Sequence, residues 1–276
     1  MAPDVGNLEL FRASFLNHTF PRHYHETYVI VVQESGTEEF FCRGSSRLAP
    51  VGSIGTINPG EVHTGRAVGG NPWVYRAIYP TISLVQQVAV QCGMKKGTLP
   101  YFPSPVVFDE PLVKDLLRMH RILETSDETL ERQSIFIETL TQLIMRHATD
   151  APTIKPVRAE PRAVKRAREY IEDHYRNNFS VTELARTVNL NPFYLIRAFR
   201  KNVGLPPHEY LTQVRVRRAM KSIAAGSPIA EVALETGFVD QSHLTHRFKR
   251  LVGITPKQFA QGANSFKGSA SSHRYR

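Results

Sequence analysis

Three histidines in the N-terminal half are spaced so that their imidazole rings could act together. His23 and His25 are one residue apart, so on an extended strand both side chains point to the same face. His63 closes the segment Pro59-Gly-Glu-Val-His63. Three imidazoles on one surface can coordinate a transition metal or can hydrogen-bond a small polar ligand. A third alternative is that they are ordinary residues of a barrel wall.

Two aromatic residues, Trp73 and Tyr75, share one face of a neighbouring strand, whereas Arg76 lies on the other face. This spacing predicts that the two rings form a wall of the pocket to which the histidines belong. We expect a small-molecule effector there, and an acidic effector is the hypothesis for its charge. The predicted effector-binding residues are His23, His25, His63, Trp73 and Tyr75.

The C-terminal half contains two rows of side chains with the spacing of one helix face. The first row is Phe193, Ile196, Arg197 and Arg200, and the second is Ser242, Thr245, His246 and Lys249, with Gln241 and His243 beside it. Arg197 suits a bidentate hydrogen bond to guanine, and Phe193 and Ile196 suit thymine methyl groups. These rows are therefore candidates for reading DNA, and simple solvation of helical hairpins is the alternative.

Both rows lie in copies of one design. Alignment of residues 183–185 with 231–233 also pairs Phe199 with Phe248 and Gly204 with Gly253. A repeat of about fifty residues that occurs only twice favours two helix-turn-helix units over a solenoid. Asn191 and Asp240 are the expected N-caps of the two reading helices.

An apolar helical pattern over residues 206–225 predicts a helix that connects the two units. At 1.5 Å per residue it would span about 25 to 30 Å, which places the two readers roughly one DNA turn apart. One chain would then read both halves of a direct, asymmetric site. Arg215, Arg217, Arg218 and Lys221 on this connector are expected to contact phosphates or to be solvated.

Positive charge is concentrated in the same half of the chain. The net charge is +10, but residues 158–276 contain 21 Lys and Arg against 9 Asp and Glu. Residues 1–157 contain 14 against 16, so they are slightly acidic. Such segregation is expected of a domain that binds a polyanion, and double-stranded DNA is the predicted partner.

Residues 162–261 resemble the DNA-binding domain of the AraC/XylS family of bacterial transcription regulators. The motifs are Ala-x-x-x-Gly-Phe at 233–238, Asp-Gln-Ser-His-Leu-Thr-His-Arg-Phe-Lys at 240–249, and Gly-Ile-Thr-Pro at 253–256. The resemblance implies base contacts by Phe193, Ile196, Arg197, Ser242, His243 and His246. It also implies RNA polymerase as a partner and activation of transcription.

The N-terminal half is rich in β-formers at 28–33, 38–43, 53–58 and 73–79, which predicts a small barrel or jelly roll. Residues 15–80 resemble the cupin domain that commonly precedes this DNA-binding domain. A catalytic cupin normally adds a carboxylate four or five residues after the second histidine, where Val29 and Ile30 stand here. A hydrogen-bonding effector pocket without metal or cofactor is therefore favoured, and no enzymatic activity is expected. A metal-dependent enzyme and a purely architectural DNA-binding protein are the alternatives.

Apolar periodicity over residues 111–147 predicts two helices that belong to the core or, as the resemblance implies, to a homodimer interface. The fold class is thus α+β with two domains, a β jelly roll followed by helices and an all-α domain with two helix-turn-helix units. The expected divisions are a cupin-like domain at 1–147, a linker at 148–161, the DNA-binding domain at 162–262 and a disordered basic tail at 263–276.

The location of the protein is predicted from two further features of the sequence. Cys42 and Cys92 form neither a disulfide framework nor a zinc pattern, so they are expected to be free thiols in a reducing compartment. No apolar run is long enough for a membrane span, and the first twenty residues lack a signal-peptide core. The bacterial cytoplasm is the expected location.

Overall fold

The computed structural model describes residues 1–151 and 160–261, which belong to two compact units, Met1–Pro156 and Val157–Arg276. The predicted two-domain fold class is confirmed. Most of the predicted linker, at 152–159, and the whole predicted tail lie outside the described residues. Pro161, which was assigned to the linker, already begins a helix.

The first unit is built on two antiparallel sheets. Its strands are β1 (Glu9–Phe15), β2 (Thr19–His23), β3 (Val29–Ser35), β4 (Thr37–Cys42), β5 (Ser45–Pro50), β6 (Ser53–Ile57), β7 (His63–Val68), β8 (Trp73–Tyr79) and β9 (Val106–Phe108). One sheet has the order β1-β8-β3-β6-β9, and the other has the order β2-β7-β4-β5. The four segments predicted from β-formers correspond to β3, β4, β6 and β8.

The strands of the larger sheet have one face toward the smaller sheet and one toward helices. On β3, Val29 and Val31 belong to the apolar cluster between the sheets, together with Trp73 and Tyr75 of β8. This period of two follows from the pleat of an extended chain. It gives the unit an interior whose walls come from both sheets.

Three α-helices complete the described part of the first unit, α1 (Ile82–Gln91), α2 (Glu110–Thr125) and α3 (Thr129–His147). Helix α2 contacts β3, β6 and β8, and α3 packs on α1 and α2. The apolar stripes predicted for α2 and α3 are largely buried within this unit, so they form core. Cys42 and Cys92 are free and buried, and none of the described helices is long and apolar enough to cross a membrane.

The second unit contains α4 (Pro161–Asp173), α5 (Val181–Thr187), α6 (Pro192–Val203), α7 (Pro207–Ala225), α8 (Ile229–Glu235) and α9 (Gln241–Val252). The pairs α5–α6 and α8–α9 are the two helix-turn-helix units. Asn191 Oδ1 accepts a hydrogen bond from the Tyr194 N–H (2.8 Å), and Asp240 Oδ1 accepts one from the His243 N–H (2.7 Å), so both predicted N-caps form.

Helix α7 joins the two helix-turn-helix units, contacting α6 on one side and α8 and α9 on the other. Its 19 residues span about 28 Å, as the sequence predicted. Phe199 and Phe248, the matched aromatic residues of the two copies, are both completely buried. Leu244 of α9 is completely buried too, whereas Leu251, in the last turn of this helix, is 45% exposed.

Arg215 of α7 does not have the role that the sequence predicted. Its side chain is buried, and it donates hydrogen bonds to the carbonyl oxygens of Tyr175 (2.6 Å) and Asn177 (3.0 Å). A guanidinium that is removed from water needs such acceptors, and the loop after α4 supplies them. Arg215 is therefore a structural brace and not a phosphate contact. Its neighbour Arg217 is exposed and pairs with Glu172.

The tight contact at Gly237 gives a stability prediction. Gly237 has φ +86°, and a Cβ atom there would lie 2.9 Å from the Tyr175 and Arg176 carbonyl oxygens and from Arg215 Nε. Gly226 has φ +104°, with nothing within 4 Å. Gly226→Ala should cost about 1 to 2 kcal/mol through its left-handed backbone, and Gly237→Ala about 3 kcal/mol or more, because the clash is added. Urea unfolding followed by circular dichroism measures both, and equal losses would contradict the clash.

Candidate effector pocket and DNA-reading surface

The two sheets of the first unit enclose a cavity of about 400 Å³. Both sheets contribute to its lining, with Val31 and Ile57 among the apolar residues and Glu38 and Thr64 among the polar ones. All five predicted effector residues lie on its wall, namely His23, His25, His63, Trp73 and Tyr75. The structure thus brings them together, and their contact with an effector remains a prediction.

The aromatic wall is held by a short hydrogen-bond chain. The Trp73 and Tyr75 rings stack with centroids 4.7 Å apart. Trp73 Nε1 donates to Gln33 Oε1 (2.7 Å), and Gln33 Nε2 donates to Glu38 Oε2 (2.9 Å). Sequence reasoning missed Gln33 and Glu38, although Gln33 continues the inward alternation of Val29 and Val31. The chain fixes the indole plane and holds the carboxyl group of Glu38 at the cavity.

The three histidines form one cluster at the cavity wall. His23 and His63 are direct partners in the register of β2 and β7, with ring centroids 4.3 Å apart. The centroid of His25, which follows the end of β2, is 5.0 Å from that of His23 and 5.3 Å from that of His63. One ring nitrogen from each residue lies within 4.8 Å of the others. The predicted spatial association of the three imidazoles is therefore present.

The turn before His63 is fixed by a bidentate ion pair. Arg43 Nε and Nη2 donate to the two oxygens of Glu61 at 2.7 and 2.8 Å. Glu61 also accepts from the backbone N–H of Asn58 (3.0 Å). The Gly60 N–H donates to the carbonyl oxygen of His25 (2.8 Å), so the same turn anchors the second histidine segment. Paired, part-buried charges of this geometry hold a loop more firmly than a solvated pair does.

Burial keeps the cavity lining electrically neutral or negative. Loss of hydration lowers the pKa of His63 to about 4, with smaller contributions from His23 and His25, and it also lowers the pKa of His25. Burial raises the pKa of Glu38 to about 7, against the hydrogen bond from Gln33. The imidazoles of His25 and His63 are thus neutral near pH 7.

The lining explains why the hypothesis of an acidic effector is not supported. Glu9, Glu26 and Glu38 line the cavity, whereas none of its described lining residues is Lys or Arg. An anion would therefore meet carboxyl groups without a cationic partner. Arg76, which follows Tyr75 on β8, could have been such a cationic partner. Its side chain lies on the opposite face of the strand, as the alternation predicted.

Arg76 belongs to a buried ion cluster between the larger sheet and α2. Its guanidinium pairs with Glu34 (3.0 Å) and Glu124, and Nη1 donates to His120 Nδ1 (2.9 Å). His120 Nε2 lies 3.2 Å from the carbonyl oxygens of Phe11 and Ala77. The cluster therefore links β8, which carries the aromatic wall, to α2. Sequence patterns gave no sign of it, because its members are far apart along the chain.

The second helix-turn-helix unit presents its predicted reading residues on one surface. Gln241, Ser242, Thr245, His246 and Lys249, together with Arg250, line a shallow groove along α9. His243 is half-buried, because its ring packs edge-on against Phe238 and its Nε2 accepts from Arg247 Nε (3.2 Å). Five of the six predicted residues of this unit therefore share the surface.

The first helix-turn-helix unit, α5–α6, departs from its prediction at two positions. Phe193 and Ile196 were expected on the outward face, but they are only 6% and 1% exposed. Their apolar side chains are removed from water, and the guanidinium of Arg197 lies over the Phe193 ring at 5.2 Å. The predicted outward position of Phe193 and Ile196 is therefore wrong, and their burial leaves little surface for a base contact.

The face of α6 that reaches solvent is carried by other residues. Arg197 is half-buried and Arg200 is exposed, as expected for a reading row. Sequence reasoning missed Tyr194 and Lys201 on this face. Tyr194, Arg197 and Lys201 have the spacing i, i+3 and i+7, so they lie on one side of the helix. The helical spacing carries this signal, because the row at i, i+3 and i+7 begins at Tyr194 and not at Phe193.

A barrel with an internal cavity, followed in the same chain by two capped helix-turn-helix units, defines a ligand-binding transcription regulator. Two family models match the chain, an AraC-like ligand binding domain at residues 5–140 and a helix-turn-helix domain at residues 184–262. The uncharacterized HTH-type transcriptional regulator YbfI of Bacillus subtilis (strain 168) is 31% identical over 238 residues, which are 86% of each chain.

Two further relatives are similar over most of their length. The probable transcriptional regulator LumQ of Photobacterium leiognathi is 27% identical over 90% of this chain and 95% of its own. The lactose operon transcription activator of Staphylococcus xylosus is 24% identical over 93% and 87%. The chain belongs to the AraC family of transcription regulators, with a ligand-binding domain and a helix-turn-helix DNA-binding domain.

Burial on α6 separates a stability role from a binding role. Ile196→Ala should lower the free energy of unfolding by about 2 to 5 kcal/mol, because it removes buried methyl groups. Arg200→Ala should change it by less than about 0.5 kcal/mol, because the side chain is exposed. Urea unfolding of the two variants, followed by circular dichroism, makes the comparison. An unchanged midpoint for Ile196→Ala would show that this side chain is not packed as described.

Proposed function

We propose that this regulator activates transcription in the bacterial cytoplasm, when a small-molecule effector occupies the barrel cavity and α6 and α9 occupy a DNA site. The observation that carries the proposal is the 400 Å³ cavity, about the size of a small-molecule site, in one chain with two capped reading helices. Activation is supported by the name of the Staphylococcus relative, a lactose operon transcription activator.

The lining favours an uncharged, hydroxyl-bearing ring as effector. Trp73 and Tyr75 offer flat aromatic surfaces on which the C–H face of a ring can pack. Glu38, Thr64 and the histidines offer hydrogen-bond groups that hydroxyls can satisfy in either direction. A sugar or cyclic polyol meets both requirements, whereas a carboxylate or phosphate meets neither.

Effector binding is coupled to the rest of the chain through β8. The inward residues Trp73 and Tyr75 contact the effector, and the outward residue Arg76 holds α2 through His120 and Glu124. A small displacement of β8 would therefore alter how α2 and α3 pack. We propose that the effector shifts the population toward chains that can occupy DNA, which requires only a different affinity for the two states.

The protein partners come from the family resemblance. Homodimerisation through α2 and α3 would use the faces that their buried stripes leave outside, and RNA polymerase would be contacted by the DNA-bound regulator. Turnover of the effector is not part of the proposal, because binding alone suffices for regulation. The metal-dependent cupin enzyme stays the second candidate, on the three clustered histidines alone.

The proposed DNA contacts are the predicted residues that the structure leaves at the surface. They are Arg197 and Arg200 of α6, and Gln241, Ser242, His243, Thr245, His246 and Lys249 of α9, to which Tyr194 and Lys201 are added. Phe193 and Ile196 support the helix from within. With α7 between them, the readers enter successive major grooves of a direct site.

The DNA proposal predicts a specific loss at Arg197. Selection of bound fragments from random DNA should yield two unlike half-sites about one helical turn apart. Arg197→Ala should weaken specific binding by about 1 to 3 kcal/mol and relax preference at one base, as measured by gel shift. Lys165→Ala, on the exposed face of α4, is the matched control and should do neither. Equal loss of specific and non-specific affinity would make Arg197 a backbone contact, and a footprint over one half-site would refute the two-reader proposal.

The effector proposal is tested with the intrinsic fluorescence of Trp73, the chain's single tryptophan. A panel of neutral sugars and cyclic polyols should contain a compound that changes this emission and raises transcription from the selected site. Glu38→Gln should weaken that compound about tenfold, because an effector hydroxyl loses a hydrogen bond to the carboxyl group. Glu39→Gln is the control, because Glu39 pairs with Arg66 away from the cavity. Response to anionic compounds alone would contradict the proposal.

A further inference from the structure

Residues 100–105, with the sequence Pro-Tyr-Phe-Pro-Ser-Pro, form a proline segment between α1 and β9. Three of its six residues are proline, which fixes its own φ and restricts the residue before it, so the segment is stiff. Phe102 is buried edge-on against the Tyr28 ring, and the Tyr28 hydroxyl donates to the carbonyl oxygen of Pro100 (2.7 Å). A stiff segment that is anchored in this way moves as a unit when one of its contacts moves.

The proline segment is tied to a turn at the wall of the cavity. This cavity turn, residues 58–62, connects β6 to β7, and the residues on either side of it, Ile57 and His63, line the cavity. Asn58 Oδ1 accepts a hydrogen bond from the Phe102 N–H (3.0 Å), and Asn58 Nδ2 donates to the Phe102 carbonyl oxygen (3.1 Å). These paired bonds fix both polar backbone groups of Phe102, so the segment follows the turn.

Arg43 joins the cavity turn to the proline segment a second time. Its guanidinium donates to both oxygens of Glu61 in the turn, and to the carbonyl oxygens of Pro103 (2.6 Å) and Phe102 (2.9 Å) in the segment. The same group lies over the Tyr101 ring, 5.0 Å from its centroid. Burial alone would raise the pKa of Glu61, but its hydrogen bonds and the charge of Arg43 hold that pKa below its usual range. The pair is therefore ionised at neutral pH, and we call these contacts the Arg43 clamp.

Arginine is a costly residue at this position of the backbone. Arg43 and Gly44 form the two-residue turn between β4 and β5, with φ of +52° and +78°. Such turns prefer Asn, Asp or Gly, because a left-handed backbone crowds the Cβ atom of other residues. The hydrogen bonds and the ion pair of the Arg43 clamp offset this cost, and they give a physical reason for an arginine in the turn.

The proline segment also holds the chain where the predicted linker begins. Thr149, two residues beyond the end of α3, donates its N–H (2.8 Å) and its hydroxyl (3.3 Å) to the carbonyl oxygen of Tyr101. The end of α3 is held separately, because His147 Nε2 lies 2.8 Å from Asp109 Oδ2. Tyr101 thus contacts the Arg43 clamp with its ring and the start of the linker with its carbonyl oxygen. The direction in which the chain leaves α3 is set by the segment.

We propose that Arg43 is a positioning residue for the effector response, and that it passes the position of the cavity turn through the proline segment to Thr149. An effector that contacts His63 shifts the cavity turn, and the bonds of Asn58 and Arg43 carry the shift to the segment. The segment then redirects the chain at the start of the linker. This route shares no residue with the contacts of Arg76 on α2. The inference rests on the proposed effector role of the cavity.

Hydrogen exchange of threonine amides tests the route without any effector. In the full chain labelled with ¹⁵N-threonine, the Thr149 N–H reports the start of the linker, and the Thr139 N–H reports the buried middle of α3. Arg43→Lys keeps the charge but loses the planar, two-point hydrogen bonds, so Thr149 should exchange about tenfold faster while Thr139 is unchanged. Arg66→Lys is the matched control, because Arg66 is exposed and pairs with Glu39.

A second variant separates loss of the clamp from loss of the fold. Glu61→Gln keeps the size of the side chain and removes the charge of the pair, so it should also speed exchange at Thr149. Both variants should keep the wild-type circular dichroism spectrum. Unchanged exchange at Thr149 in both folded variants overturns the inference. Equal acceleration of Thr149 and Thr139 in both also overturns it, because the clamp would then contribute only to global stability.

Gel shifts distinguish this inference from the proposed function. The probe is the neutral sugar or cyclic polyol that changes Trp73 emission in the wild-type chain. Arg43→Lys should bind this compound with wild-type affinity, but it should lose most of the change in DNA affinity that the compound causes. If that change is as large as in the wild type, the inference fails and the proposed function stands. If no compound changes Trp73 emission, the proposed effector class fails, and the exchange at Thr149 decides whether turn and linker are connected.

Discussion

Strand β8 presents alternate side chains to two different environments, and the regulatory part of the molecule depends on that alternation. Trp73 and Tyr75 point into the cavity, whereas Arg76 points to α2 and is held there by Glu34, Glu124 and His120. The pleat allows no intermediate position, so a change felt on one face moves residues that are fixed on the other. Strand β8 therefore contributes to the wall of the ligand site on one face and to a buried ion cluster on the other.

Electrostatic neutrality inside the barrel sets which ligands it can receive. Burial lowers the pKa of His63 to about 4 and also lowers the pKa of His25, and it raises the pKa of Glu38 to about 7, so these three buried groups avoid isolated charge. The polar groups that remain are held by partners, Glu38 by Gln33 and His63 by the turn that Arg43 clamps. Such a lining provides hydrogen-bond donors and acceptors in fixed directions, and it selects ligands by hydrogen bonding more than by net charge.

In the DNA-binding unit, the main structural requirement is that two small helix pairs, α5–α6 and α8–α9, are held in fixed positions. Each pair is too small to hold its orientation alone, and α7 provides a shared surface for both. Arg215 strengthens this arrangement, because it joins the connector to the loop after α4 through two carbonyl oxygens. The Gly237 turn packs against the same atoms, so the position of the second reader depends on a buried guanidinium that sequence alone assigned to solvent or phosphate.

The sequence by itself determined the features that depend on local patterns: the duplicated helix pairs, their Asn191 and Asp240 caps, the strands rich in β-formers and the segregation of positive charge. Strands such as β2, β5 and β7 escaped prediction because proline, glycine and charged residues interrupt them, and only pairing with neighbours makes them strands. Tertiary structure decided the rest. It buried Phe193, Ile196 and Arg215, because burial depends on packing partners that periodicity does not reveal, and it brought His63 to His23 and His25, because three-dimensional convergence depends on sheet register between distant segments.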